Sequence, residues 1–291
     1  MTASTDAPPL RTEDLPIFHI ASPYLDRPHH RHRVSSTLSS LASQTACADR
    51  RARLRATLAV PEPAPDLVDW LMDLFPDVEI DSLPDDGMYD ALSRVFHESS
   101  AQYFGWLGAG DTYEPAAFSV VLENAPGGHE PYWITGLMRG RRGDGAVVRS
   151  FLPFRYRKRF FDAGIYGTSL PTIQQESTFW NFRLHEHIDF DRWRRFRLAG
   201  DFYLWHTFSQ YSEPMVVEAA LGSFMWHGDN QSQDYDEYLA ELHSISRRPH
   251  AWEKLAAKLE RPLWALHPAV KSRLARGSIR RYTWPDGPWH T

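Results

Sequence analysis

The sequence predicts an α/β fold: a single doubly wound, mostly parallel sheet flanked by helices, with a helical C-terminal extension. Three observations predict it. Short apolar runs alternate with amphipathic segments through residues 17–107, the pattern of β-α-β units. A chain of 291 residues is long enough to bury roughly three quarters of its unfolded surface around one such sheet. The apolar run 103–107 opens into Gly108-Ala109-Gly110-Asp111, a glycine-rich loop with a carboxylate at its tip, and the carboxyl ends of parallel strands are where open α/β sheets bind ligands.

Each element has a local reason. Residues 1–14 are rich in Thr, Ala and Pro and are expected to be disordered. Residues 17–21 form an apolar strand ending in Ser22-Pro23-Tyr24. Leu38 and Leu41 stand at helical spacing in a first helix over 34–44, and residues 54–60 form the second strand. Pro61, Pro63 and Pro65 make a stiff loop, after which Asp66 is expected to cap a helix carrying Leu67, Trp70, Leu71 and Leu74. Residues 78–80 are a third strand. Gly87 suits a tight turn into a helix over 88–97, with Asp90 in its first turn, where a negative charge complements the helix dipole. Downstream, 132–137 and 146–151 flank Arg141-Arg142-Gly143-Asp144-Gly145, a hairpin signal. Further elements are expected as a helix over 202–211, a strand over 216–225 and an amphipathic helix over 235–245.

Composition narrows the function. The hydrophobic fraction of 42% and charged fraction of 24% are those of a globular chain, and a net charge of −5 argues against a nucleic-acid partner. The single Cys47 excludes an internal disulfide framework and any multi-cysteine zinc site. No run of 18 apolar residues suggests a transmembrane span, and residues 1–9 lack the features of a secretory signal, so the expected location is the cytoplasm. Peripheral contact with an anionic membrane is one reading of Arg155, Arg157, Lys158 and Arg159; contact with a diphosphate is another, and a solvated face is the plain one. His29-His30-Arg31-His32 and His185-Glu186-His187 suggest zinc by composition, but neither has the helical His-Glu-x-x-His spacing of a zinc hydrolase.

Four blocks occurring in order carry a resemblance. Asp86-Gly87-Met88-Tyr89-Asp90-Ala91-Leu92 leads to the loop at 108–111; Gln175-Glu176-Ser177-Thr178-Phe179-Trp180 follows; then Asp201-Phe202-Tyr203-Leu204-Trp205; then Phe224-Met225-Trp226-His227. Together, over residues 16–245, they resemble the family 2 inverting glycosyltransferases, which have the nucleotide-diphospho-sugar transferase (Rossmann-like) fold. The resemblance implies a nucleotide-sugar-binding half over 15–130, an acceptor and catalytic half of the same domain over 131–246, and an extension over 247–291. It implies transfer of a sugar from a nucleotide-diphosphate sugar, most simply a UDP-sugar, to a saccharide or lipid-linked acceptor, with inversion.

The same resemblance implies roles. Asp201 is the expected base, because a carboxylate must take the proton of the acceptor hydroxyl. Ser22, Pro23, Tyr24, Asp86, Tyr89, Asp90 and Asp111 are expected on the donor, and Gln174, Gln175, Glu176 and Trp205 on the acceptor or the transferred sugar. A divalent cation, Mn or Mg, is expected on Asp111 and His227 to neutralise the departing diphosphate. Two departures stand out: Gly108 and Gly110 occupy positions where the family carries acids. A catalytically weakened homologue that binds nucleotide or glycan, or scaffolds partners, is the alternative. On the residues alone, the alternative reading of Asp111 and of Asp201 is a helix cap.

Overall fold

The computed structural model describes residues 11–27, 30–126, 130–226, 234–282 and 287–290. Its strands are β1 (Ile17–Pro23), β2 (Arg53–Ala59), β3 (Val78–Asp81), β4 (Tyr103–Trp106), β5 (Thr112–Tyr113), β6 (Trp133–Thr135), β7 (Met138–Arg141), β8 (Val147–Phe151), β9 (Thr178–Asn181), β10 (Met215–Val217), β11 (Gly222–Met225), β12 (Ile279–Tyr282) and β13 (Trp289–His290). The main sheet runs β13-β12-β10-β6-β9-β4-β1-β2-β3, and a smaller one runs β5-β11-β7-β8. β3, β2, β1 and β4 are parallel, as are β6, β10 and β12, while β9 lies antiparallel between the two groups.

The first group is the doubly wound unit expected from the sequence. β2 and β3 extend to one side of β1, and β4 lies on the other, so the chain reverses direction between β1 and β4. Alternation along β1 feeds both faces. Phe18 and Ile20 enter one core cluster with Val34, Leu38 and Leu67, while Ala21 enters the other, with Phe96, Phe104 and six tryptophans, among them Trp106, Trp180 and Trp205. His19 is buried on that second side, bonded to Ser99 and Thr57, and burial lowers its pKa to about 3, so it is a neutral structural group.

Several boundaries differ from expectation for readable reasons. Thr12–Asp14 form a short 3-10 turn, and residues 1–10 of the segment expected to be disordered lie outside the described residues. Pro65 starts its helix at the first helical position, where the missing N–H costs nothing; Ala64 is the cap and Asp66 instead pairs with Arg31 at 2.7 Å. The hairpin exists, but its first arm is Met138–Arg141, and Trp133–Thr135 belongs to the main sheet. The strand expected over 216–225 is two strands in two sheets, β10 and β11, separated by a turn. The C-terminal segment supplies the expected helices Ala251–Glu260 and Pro268–Leu274, then returns as β12 to pair with β10.

Candidate active site

A cleft of about 800 Å³ opens at the carboxyl ends of β1, β2 and β4, lined there by Pro23, Tyr24, Ala59, Trp106 and Gly108. Its position at the reversal between β1 and β4 is the one open α/β sheets use for ligands. The far wall comes from the second half: Met138, Thr172, Gln174, Gln175, Glu176, Asp201 and Phe224.

The donor-side loop is tied down from several directions. Leu107 N–H donates to Ala21, and its carbonyl accepts from Ser22 Oγ at 2.8 Å, so Ser22 is a buried anchor and does not line the cleft. Gly110 has φ of 105°, a conformation that favours glycine. Its N–H donates to Thr37 Oγ1 at 2.9 Å, that hydroxyl donates to the Asp111 carbonyl at 2.8 Å, and Arg141 Nη2 donates to the Gly110 carbonyl at 2.9 Å. Asp111 is not a helix cap, because Thr112–Tyr113 is a strand and the next helix, Ala117–Asn124, is capped by Ala116. One Asp111 oxygen accepts from Met225 N–H at 2.8 Å and the other from Gln175 Nε2 at 3.3 Å. Burial pushes its carboxyl up to about 6 against these bonds.

These residues do not fit a divalent cation. Mg and Ca sites are built from several convergent oxygens. Here Gly108 and Gly110 offer no side chain, and both Asp111 oxygens already accept from protein donors. Among the described residues no group of three or more His, Cys, Asp or Glu is placed to hold a metal. His227, the other expected ligand, lies outside the described residues. The zinc reading also fails at His185, which is buried, stacked on Phe104 at 3.8 Å and bonded to the Phe96 carbonyl, with burial lowering its pKa to about 4.

On the acceptor side, Asp201 sits in the first turn of the helix Gly200–Ser209, two residues too late to cap it; the cap is Ala199. It is partly accessible from the cleft and otherwise enclosed, and that enclosure pushes its carboxyl up to about 7, with the Glu241 charge acting in the same direction. One Asp201 oxygen accepts from Phe202 N–H at 2.6 Å. The turn before it is fixed by Glu241, from the helix Tyr235–Ile245, whose carboxylate accepts the N–H groups of Arg197, Leu198 and Ala199 at 2.7, 2.9 and 2.7 Å. Tyr89 lies beneath: a Cβ on Gly200 would meet its ring at 2.6 Å, and its hydroxyl donates to the Leu198 carbonyl. Tyr89 therefore borders the cleft chiefly as the platform for Asp201.

Glu176 is 1% exposed, its Oε1 has no hydrogen-bond partner among the described residues, and burial followed by the Asp111 and Asp201 charges raises its pKa well above the ordinary value. Gln174 also lines the cleft and leaves Oε1 unpartnered. Two expected donor contacts are corrected. Asp90 is buried, accepting from Arg194 at 2.7 Å and from Asp86 N–H at 3.0 Å, and it is Asp85, not Asp86, that lines the cleft. Trp205, expected on the sugar, is wholly buried and stacks between Trp106 and Trp133 at 5.8 and 5.5 Å. Arg155, Arg157, Lys158 and Arg159 do not line the cleft: Arg157 pairs with Glu260, Lys158 with Asp162, and Arg155 and Arg159 lie over Phe154 and Trp252.

Sequence reasoning missed Thr37, Glu241 and the cleft arginines Arg27, Arg33 and Arg197. Only Arg33 and Thr37 left a trace, as polar residues one turn apart on the first helix.

The chain matches no model of a known protein family and no curated protein sequence. Its fold is that of the glycosyltransferases with a mixed α/β, mostly parallel sheet. The mannosyltransferase PcManGT of Pyrobaculum calidifontis, in complex with GDP-Man and Mn2+, superposes with a TM-score of 0.54 at 13% identity, over 93% of this chain and 76% of that one. TarS (1-349) of S. aureus in complex with UDP-GlcNAc gives a TM-score of 0.53 at 11% identity, over 89% and 76%. TarS (1-349) without that ligand gives 0.52 at 12%, over 89% and 75%. At these identities the likeness establishes the fold. Among the described residues no helix is long and apolar enough to cross a membrane.

Proposed function

We propose that this chain is an inverting glycosyltransferase that uses a nucleotide-diphosphate sugar, with Asp201 as the base. The observation that carries the reading is Asp201 itself: a carboxylate on the cleft wall whose pKa, raised to about 7, suits a base working near neutrality. The nucleoside lies against the β1 and β2 ends, where Tyr24, Pro61 and Asp85 line the cleft. Asp201 takes the proton from the acceptor hydroxyl as its oxygen bonds to the anomeric carbon. The bond from that carbon to the diphosphate oxygen breaks, and its electron pair leaves with the nucleoside diphosphate. A single displacement from the opposite face inverts the anomeric centre. Glu176, whose burial holds its proton more tightly than usual, and Gln174 orient the sugar as hydrogen-bond partners.

The acceptor enters along a second hollow of about 620 Å³, which shares Gly167 and Thr172 with the cleft and is lined by Arg149, Arg261, Trp264 and Phe151. Its aromatic faces and cationic heads suit a saccharide or a lipid-linked acceptor at a membrane surface. The test is release of nucleoside diphosphate from UDP- and GDP-sugars with a panel of glycan acceptors; release that survives Asp201→Asn removes the assignment. A second reading, a binding protein descended from such an enzyme, is favoured by Gly108 and Gly110. It predicts nucleotide binding with no release by the wild type.

A further inference from the structure

The proposed reaction needs positive charge beside the diphosphate, and the donor-side loop supplies none through a metal. Two arginines on the same cleft are placed to supply it. Arg33 is one turn before Thr37 on the helix Arg31–Ala42, so the two share a face. Thr37 is the residue that holds Gly110 and Asp111. Side chains on a helix lean toward its N-terminus, which carries the Arg33 guanidinium away from Thr37 and over the cleft that it lines together with Gly108, Ala109 and Asp111. Arg27 lines the cleft from the loop after β1.

Other arginines nearby are already engaged. Arg31 pairs with Asp26 and Asp66, Arg141 with the Gly110 carbonyl, and Arg197 with Glu237. Among the described residues the Arg27 and Arg33 guanidiniums form no ion pair or hydrogen bond, so they remain available to a ligand. A guanidinium offers a planar fork of donors that matches two phosphate oxygens, and it stays charged at every working pH.

We propose that Arg27 and Arg33 bind the diphosphate of the donor in the place a divalent cation would take, so that this chain binds nucleotide diphosphates independently of metal. The proposal rests on the nucleotide-sugar reading and fails separately from it.

Calorimetric titration of UDP and of GDP into the full chain, in EDTA and then in manganese, tests both. The expected result is the same Kd for the preferred nucleotide in the two buffers. Arg33→Ala and Arg27→Ala should each weaken it about ten- to a hundredfold, the range of a charge-assisted hydrogen bond, while leaving binding of the parent nucleoside unchanged. Arg33→Lys should retain part of the affinity, and rising NaCl should weaken it. The lysine variant and the salt series carry the test if an alanine variant does not fold. Affinity that requires manganese, or that is indifferent to both arginine substitutions, overturns the proposal. Binding of neither nucleotide in either buffer removes the nucleotide-sugar reading, and the proposal with it.

Discussion

Asp111 and Asp201 face one cleft from opposite walls, and their differences say more than their likeness. Both are acids held in enclosed surroundings, with carboxyls raised to about 6 and about 7. Asp111 gives one oxygen to Met225 N–H and the other to Gln175, joining β11, the 174–177 segment and the β4 loop. Among the described residues Asp201 accepts only from backbone N–H groups of its own turn, that of Phe202 at 2.6 Å and its own. A carboxylate whose oxygens are claimed by the protein holds the fold together; one with an oxygen left over can do chemistry. The shared motif positions do not distinguish the two, but the hydrogen bonds do.

The sharpest way to break this contrast is at Asp201. Asp201→Asn should lower turnover about 10²- to 10⁴-fold, the contribution of a positioned base, with donor affinity retained. Initial rates and nucleotide titrations on the same preparation decide it. A comparable loss of donor affinity would make Asp201 a binding group.

Asp111→Ala should act on stability first. It leaves the buried Met225 N–H without its acceptor, at about 1–3 kcal/mol, read as a fall in Tm. Unchanged Tm with lost manganese-dependent nucleotide binding would reverse its role. Gly200→Ala should cost a similar amount, about 1–3 kcal/mol, because the new methyl meets the Tyr89 ring at 2.6 Å, and it should also lower kcat by tilting Asp201. Normal kcat in a destabilised Gly200→Ala protein would uncouple the platform from the base.

The pH effects are smaller. A base near 7 predicts that kcat falls about tenfold per pH unit below that value and levels off above it. Stability runs the opposite way. Because burial raises both carboxyls, the folded state holds their protons more tightly than the unfolded chain does. This advantage is complete below about 3.8 and is lost as pH rises through about 6 for Asp111 and about 7 for Asp201. Asp201→Asn should therefore raise the Tm at pH 8 relative to wild type, with little change at pH 4; the reverse would show that its carboxylate is better solvated than its setting suggests.

Legibility followed contact range. The helix Met88–His97 and the strands β1 to β4 were readable because apolar spacing and glycine turns act over a few residues. β10 and β11 were not, because the turn between them matters only through partners in two different sheets. At the site, the cleft position at the strand ends was legible, and Asp201 lies on its wall. Glu241, some 40 residues beyond the turn it clamps, was not, since acceptance of three backbone N–H groups leaves no mark on sequence spacing. Trp205 was misplaced because an aromatic residue close to a cleft carboxylate reads equally as ligand contact or core.

The tryptophans also make the protein its own reporter. Trp106, though almost wholly buried, is among the residues that line the cleft, and its ring lies nearly parallel to Trp205, at 16°, which in turn lies nearly parallel to Trp133, at 19°, with Trp180 set edge-on to Trp106. Indoles this close exchange excitation faster than they emit, so light absorbed by any of them is pooled. A nucleobase resting against Trp106 would drain that shared pool and not one ring's portion, so its occupancy of the cleft would be visible in unlabelled protein as a drop in emission.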